Sequence, residues 1–302
     1  MSENFRSPNL VELLSLGNVV TAGFRLYSSH RKSYFLLALT ASFWSFLPFL
    51  FIIPVGILIF INSRVGNDSL WAWLIAMLVG IILYFYALGK SLINASIISR
   101  LAFAELLNQP ETVAAARRQV KPKLWRFVIT SLLIFLILFV SFIVFMILMI
   151  IPLLNLLLFI PALATFLWVV ARFLLPDVIL AVEENSSAID AVSRSWDLTS
   201  RNAWRIVLIL VVAFLVTIPL QLLVQIINRV AVYAFITPVI RDAVNGSTSA
   251  TLLISIVYLF ILVLIFLVNA IILPFWQAIK GVIYYDLRAR QEGLDLKLRG
   301  EV

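Results

Sequence analysis

Charged residues vanish from this chain over stretches longer than any soluble core requires. There is no Asp, Glu, Lys or Arg from Phe127 to Ala171, from Ile206 to Asn228, or from Ala243 to Ile279. A bilayer core about 30 Å thick takes roughly 20 apolar residues per helix. These runs therefore predict membrane spans, and the first is long enough for two. The whole pattern predicts six, at about 34–61, 70–98, 127–150, 153–171, 206–227 and 251–279. Lys90 interrupts the second, and a turn at Pro152 and Asn155 divides the third from the fourth.

Before each pair of spans the pattern changes to that of a short amphipathic helix. Val113, Ala116 and Val120 recur at helical spacing with Arg117, Arg118 and Lys121 on other faces, and Ile189, Val192 and Trp196 repeat the spacing with Arg194 and Asp197 elsewhere. Val20, Phe24 and Tyr27 make a looser third stripe. Asn108 with Glu111, and Ser187 with Asp190, have the spacing of helix starts. Each stripe leads into its span through a similar junction: Arg31-Lys32-Ser33-Tyr34, Trp125-Arg126-Phe127 and Trp204-Arg205-Ile206. The expected fold is an all-α integral membrane protein. Its six transmembrane helices form three hairpins, each preceded by a cytoplasmic interfacial helix. The pseudo-repeats run about 10–107, 108–184 and 185–290 within a single membrane domain, followed by a polar tail over 291–302. Internal repetition of this kind is common in transporters.

Composition narrows the class. The chain is 63% hydrophobic and 13% charged, with a mean hydropathy of +1.08. A soluble domain carries about 25% charged residues, so a soluble fold is excluded. With no cysteine there is no thiol or disulfide chemistry, and His30 is the single histidine. The net charge of +8 is arranged for topology and not for nucleic acid: only 3 of the 23 Lys and Arg (Arg64, Arg229 and Arg241) fall on one side of the expected spans. The positive-inside rule places both termini in the cytoplasm. The polar N-terminus lacks a signal-peptide pattern, so the chain is expected to insert by its own spans. The membrane is expected to be a bacterial plasma membrane, or an internal one such as a thylakoid.

Charges at membrane depth are functional candidates because burying one costs at least a few kcal/mol. Lys90 has Asn94 at i+4, Arg172 closes the fourth span and Lys280 the sixth, at comparable hairpin positions. A ring of these cations would hold lipid phosphate. Snorkelling of long cations to the interface is the plainer reading. Asp177, after Pro176, is placed to pair with Arg172 across the proline break. Trp125, Arg126, Trp196, Trp204 and Arg205 are expected interfacial anchors. Asp286, Arg288 and Arg290 sit on a helical extension of the last span. Asp286 and Arg290 have ion-pair spacing there, and the three form either a cytoplasmic docking surface or a solvated helix end. His30 is expected at the headgroups. Asn155, Gln221, Gln225, Asn269 and Gln277 would bond helix to helix or line a pathway. Gly89 and Gly281 would permit close helix approach, and Gly56 and Gly80 mark no clear dimer face.

Three segments resemble a known family. Ala188-Ile-Asp-Ala-Val-Ser-Arg-Ser-Trp-Asp-Leu-Thr-Ser-Arg-Asn-Ala-Trp-Arg205, the opening Leu16-Gly-Asn-Val-Val-Thr-Ala-Gly-Phe-Arg-Leu-Tyr27, and the closing Val282-Ile-Tyr-Tyr-Asp-Leu-Arg-Ala-Arg-Gln-Glu-Gly-Leu-Asp-Leu296 are similar to signatures of the bacterial glycerophosphoryl diester phosphodiesterase membrane-domain family. The resemblance implies the membrane part alone. It carries over no catalytic residue, because the chain lacks the carboxylate and histidine cluster such phosphodiesterases use. Together these readings predict a non-enzymatic membrane component that organises lipid or protein, with no cofactor, metal or nucleic acid. Anionic lipid headgroups are the expected partners, and a protein partner or a second copy of the chain is possible. The alternative is a transporter or permease-like protein for a lipid or other amphiphile. An intramembrane enzyme would need a nucleophile with its base, or metal ligands, and neither is read.

Overall fold

The computed structural model describes residues 15–64, 70–150 and 154–292, and every regular element among them is helical. Pro152 and the tail beyond Glu292 lie outside the described residues, as do the side-chain surroundings of Gly56 and Asn155. Helix α1 spans Leu16–Ser29, α2 Arg31–Arg64 and α3 Leu70–Leu106. Helix α4 (Val113–Val120) runs through a tight 3₁₀ turn, Lys121–Lys123, into α5 (Leu124–Ile150). Then come α6 (Leu154–Arg172), α7 (Pro176–Val182), α8 (Ala188–Thr199), α9 (Ala203–Ala231), α10 (Ile240–Val244) and α11 (Thr248–Glu292). Six helices are long and apolar enough to cross a membrane. A helix is the natural answer to such sequences, because it satisfies its own backbone polar groups where no water is present.

The long helices pack as neighbours, α2 on α3, α5 on α6 and α9 on α11, with α11 also lying along α3 and α2. Burial is uneven along them. Ile147, Ile150, Leu157, Ile160 and Ile256 are exposed, whereas Ile97, Ile98, Phe103, Ile279, Val282 and Tyr284 are sealed. The core thus lies at one end, where α1 packs on α11 and α9, α4 on α3 and α7, and α8 on α7 and α5, and where α7 also meets α3 and α11. Apolar side chains in lipid gain little from burying one another. The buried core forms where polar backbone and charged groups must also be accommodated.

The short helices meet this core on faces set by size. In α4, Ala116 and Val120 are buried with Val113 packed beside them. In α8 the buried face is Ala188, Ala191, Ser195 and Leu198, while Ile189 is 71% exposed, so the helix is turned about one residue from the expected stripe. Small residues let α8 lie close on α7, and the hydroxyls of Ser195 and Thr199 bond the Arg172 carbonyl. In α1, Val19, Val20 and Leu26 are buried, whereas Phe24 stays 56% exposed beside Phe275.

The helix ends follow local chemistry. Ser187 and Asp190 form a capping box at the start of α8, and the Ser187 hydroxyl and amide hold the Asp190 carboxyl below its ordinary carboxylate value. Asn108 does not start α4. It sits at φ 57°, and the bonds from its own N–H to Glu105 and from Gln109 to Ala104 close the end of α3 in a Schellman turn. Thr112 caps α4, its hydroxyl accepting from the Ala115 amide at 3.3 Å. Thr112→Ala is expected to destabilise the protein by about 1 kcal/mol. Thermal unfolding in detergent, followed by helicity, checks it, and an unchanged transition would show that α4 is held by packing alone.

Candidate functional site

Helix α7 is the centre of the polar structure. It is seven residues long, and Pro176, Val178, Ile179, Leu180 and Ala181 are buried. The last turn of any helix leaves carbonyls without intrahelical partners, and cations are favoured there. Here Lys123 Nζ donates to the Leu180 carbonyl at 2.8 Å and the Glu183 carbonyl at 2.6 Å. Arg100 donates to the Ala181 carbonyl at 2.6 Å and forks onto Glu111 at 2.7 and 3.3 Å, with a further bond to Gln119. Arg126 reaches the Ser186 carbonyl at 3.1 Å. The Glu183 carboxylate accepts from Tyr284 at 2.9 Å and Arg194 at 3.3 Å. At the other end of α7, in its first turn, Asp177 pairs with Lys280 at 2.9 Å. Cations from α3, α8, α11 and the α4–α5 junction therefore converge on this one short helix and the turn that follows it.

A second knot lies between α9 and α11. Asp286, only 4% exposed, is paired with Arg205 and, at 2.9 Å, with Arg290. Gln291 donates to the Leu198 carbonyl at 2.7 Å, tying the end of α11 to α8. The i,i+4 pairing of Asp286 with Arg290 is as the spacing predicts, but the carboxylate faces inward. Arg288 lies over the Phe103 and Tyr284 rings at 5.9 and 5.7 Å. Arg205 thus joins helices, whereas Trp125 and Trp204 are exposed.

The three cations expected at membrane depth have different environments. Lys90 lies over Tyr86 at 5.2 Å and Trp44 at 6.0 Å. Asn94 donates to the Lys90 carbonyl at 2.7 Å and accepts from Arg117 at 3.4 Å, so its side chain links α3 to α4. Arg172 lies over Trp196 at 3.7 Å and Trp168 at 5.2 Å. Lys280 takes Asp177, the carboxylate that spacing had placed beside Arg172. In each case an aromatic residue stands four positions earlier: Tyr86, Trp168 and Trp276. That aromatic-and-cation repeat was available in the sequence and singles out these three positions better than the cations alone. His30 stacks on Tyr34 and stands 3.9 Å from Glu105.

The uncharged polar groups within the spans join neighbours. Asn269 donates to Ser42 at 3.1 Å, Ser99 to Gln277 at 2.5 Å, and Ser45 shares a bond with Ser91 at 2.7 Å. Gln221 bonds Thr217 within α9. An apolar groove of about 490 Å³ runs between α2 and α3, lined by Phe51, Val55, Trp73, Met77, Ile81 and Phe85 among others. Among the described residues no group of His, Cys, Asp and Glu could hold a metal ion. Compared with known proteins, the chain matches no family model, no curated protein and no solved structure.

Proposed function

We propose that this protein is a non-catalytic, multi-pass component of a bacterial plasma membrane that organises anionic lipid at the inner leaflet. In this reading α1, α4 and α8 are interfacial helices, each leading into a hairpin (α2–α3, α5–α6 and α9–α11), and both termini are cytoplasmic. The resemblance to the membrane-domain family named above fits this reading. The observation that carries it is the exposed band of cations and tryptophans at the end that holds the buried core. Arg118, Lys121, Trp125 and Arg126 lie where α4 meets α5, and Arg201 and Trp204 where α8 meets α9. Trp and Arg are favoured at headgroup depth, and each basic residue near an anionic leaflet is worth about 1 kcal/mol.

Lipid discs of mixed phosphatidylglycerol and phosphatidylcholine test the proposal. The protein is expected to enrich phosphatidylglycerol around itself. The combined variant Arg118→Gln, Lys121→Gln and Arg201→Gln is expected to lose most of that enrichment, as is the parent in high salt, since exposed charges are screened. An annulus with the composition of the bulk lipid would sink the reading. A second reading, movement of a lipid or other amphiphile, is favoured by the groove between α2 and α3. Transfer of a labelled lipid between vesicle leaflets by the reconstituted protein would move the assignment to it.

A further inference from the structure

Among the described residues three charged side chains are buried at this end, Lys123, Asp286 and Arg172. Lys123 is bonded to two carbonyls, and Asp286 to two arginines. Arg172 is the most buried, at 3% exposure, yet among the described residues no hydrogen bond or ion pair reaches its guanidinium, and the Asp197 carboxylate acts on it only from beyond ion-pair distance. Its Nε is sealed without a partner. An unpaired buried charge is strongly destabilising, and a buried donor without an acceptor costs about 1–3 kcal/mol. Such an arrangement points to an acceptor that the protein does not itself supply.

The geometry limits what that acceptor is. The guanidinium lies on the Trp196 ring, with its carbon 3.7 Å from the ring centre, and Trp168 stands 5.2 Å away. The contact engages the guanidinium through its carbon, and the terminal N–H donors, which have no hydrogen-bond partner among the described residues, form the fork. A planar fork matches two oxygens of one anion. The carbonyl of Arg172, at the negative end of α6, would repel an anion, but it is already engaged by the Ser195 hydroxyl at 2.8 Å and by Thr199. Trp168 and Trp196 pack edge to face and fix the platform.

We propose that Arg172, held on Trp196 and Trp168 at the end of α6, is the anchor of a specific phosphate site that takes one phosphate group through its guanidinium edge. The site rests on the lipid-organising reading and adds to it a single stoichiometric position, distinct from the exposed band. The phosphate belongs to a phospholipid headgroup or to a free phosphate, and the test separates the two.

Protein exchanged extensively into phospholipid-free detergent at high salt, which strips the exposed band, is assayed for phosphorus and by native mass spectrometry. The same protein is titrated with short-chain phosphatidylglycerol and with inorganic phosphate, with thermal shift as readout. The parent is expected to retain near-stoichiometric phosphorus or to bind a probe saturably. Arg172→Gln is expected to bind roughly tenfold more weakly or worse. Arg172→Lys, which keeps the charge but not the fork, is expected to recover little. Competition by inorganic phosphate identifies a free-anion site, and binding of the lipid alone identifies a headgroup site. No retained phosphorus together with no binding of either probe to the parent overturns the proposal, and that result needs no folded variant. Equal binding by parent and Arg172→Gln overturns it too. Loss of lipid enrichment in the Arg118, Lys121 and Arg201 variant bears on the exposed band alone, so the two readings fail separately.

Discussion

Arg100→Met is expected to destabilise the protein by about 3 kcal/mol, which thermal unfolding in detergent would register as one of the largest single-site losses in the chain. Arg100 stands on α3 among Ile97, Ile98, Ala102 and Phe103, all buried. It meets Glu111 before α4 and the Ala181 carbonyl at the end of α7. The loss is large because of what remains behind. Methionine fills the volume but leaves Glu111, 17% exposed, without its cation and the Ala181 carbonyl without its side-chain donor. The sign of a second substitution separates this account from loss of packing. Adding Glu111→Gln removes the stranded charge and is expected to return a good part of the stability, since apolar or neutral replacement of a whole buried pair is often tolerated. If Arg100→Met alone melts with the parent, the convergence on α7 contributes no stability.

The fold was legible in the sequence to the extent that the membrane dictates it. Six apolar lengths follow from bilayer thickness, and six helices of that kind are present. What could not be read was pairing in space. Asp177 is five residues from Arg172 and 103 from Lys280, yet it bonds Lys280, because α7 starts a new direction after Pro176 and faces α11. Lys123 and Glu183 carried no signal of periodicity, since their roles depend on a seven-residue helix whose end lies against other elements. The stripe in α8 misled for a different reason. Hydrophobicity ranks Ile189 and Trp196 as the buried face, but close packing on α7 selects Ala191 and Ser195, and in a membrane the large apolar residues need no protein cover. Arg100 was missed as well, although a cation inside the apolar run 97–103 asks for a partner by its position alone.

Gly281→Ala is the second substitution with a large expected effect, about 2 kcal/mol of destabilisation, although alanine is the better helix former. Gly281 lies where α11 crosses α3. A methyl group there would stand 2.7 Å from the Ser99 carbonyl oxygen and 3.0 Å from the Ala102 Cβ. A backbone oxygen cannot rotate aside, so the two helices must part. One turn away Ser99 donates to Gln277 at 2.5 Å, a bond that tolerates little separation. On either side of Gly281, α11 carries Lys280, Tyr284 and Asp286, which bond α7, the turn after it and α9. Displacing this stretch strains both polar knots together. Gly17→Ala is the control: it sits in α1 with nothing within 4 Å of the added carbon. That change is expected to be neutral or to stabilise by about 0.5 kcal/mol through helix propensity. Opposite signs for the two substitutions, measured by the same thermal unfolding, would identify the crossing of α11 and α3 as the contact that sets the spacing of the basic end. Equal and small effects would mean that the helices there can separate freely and that the knots are held from elsewhere.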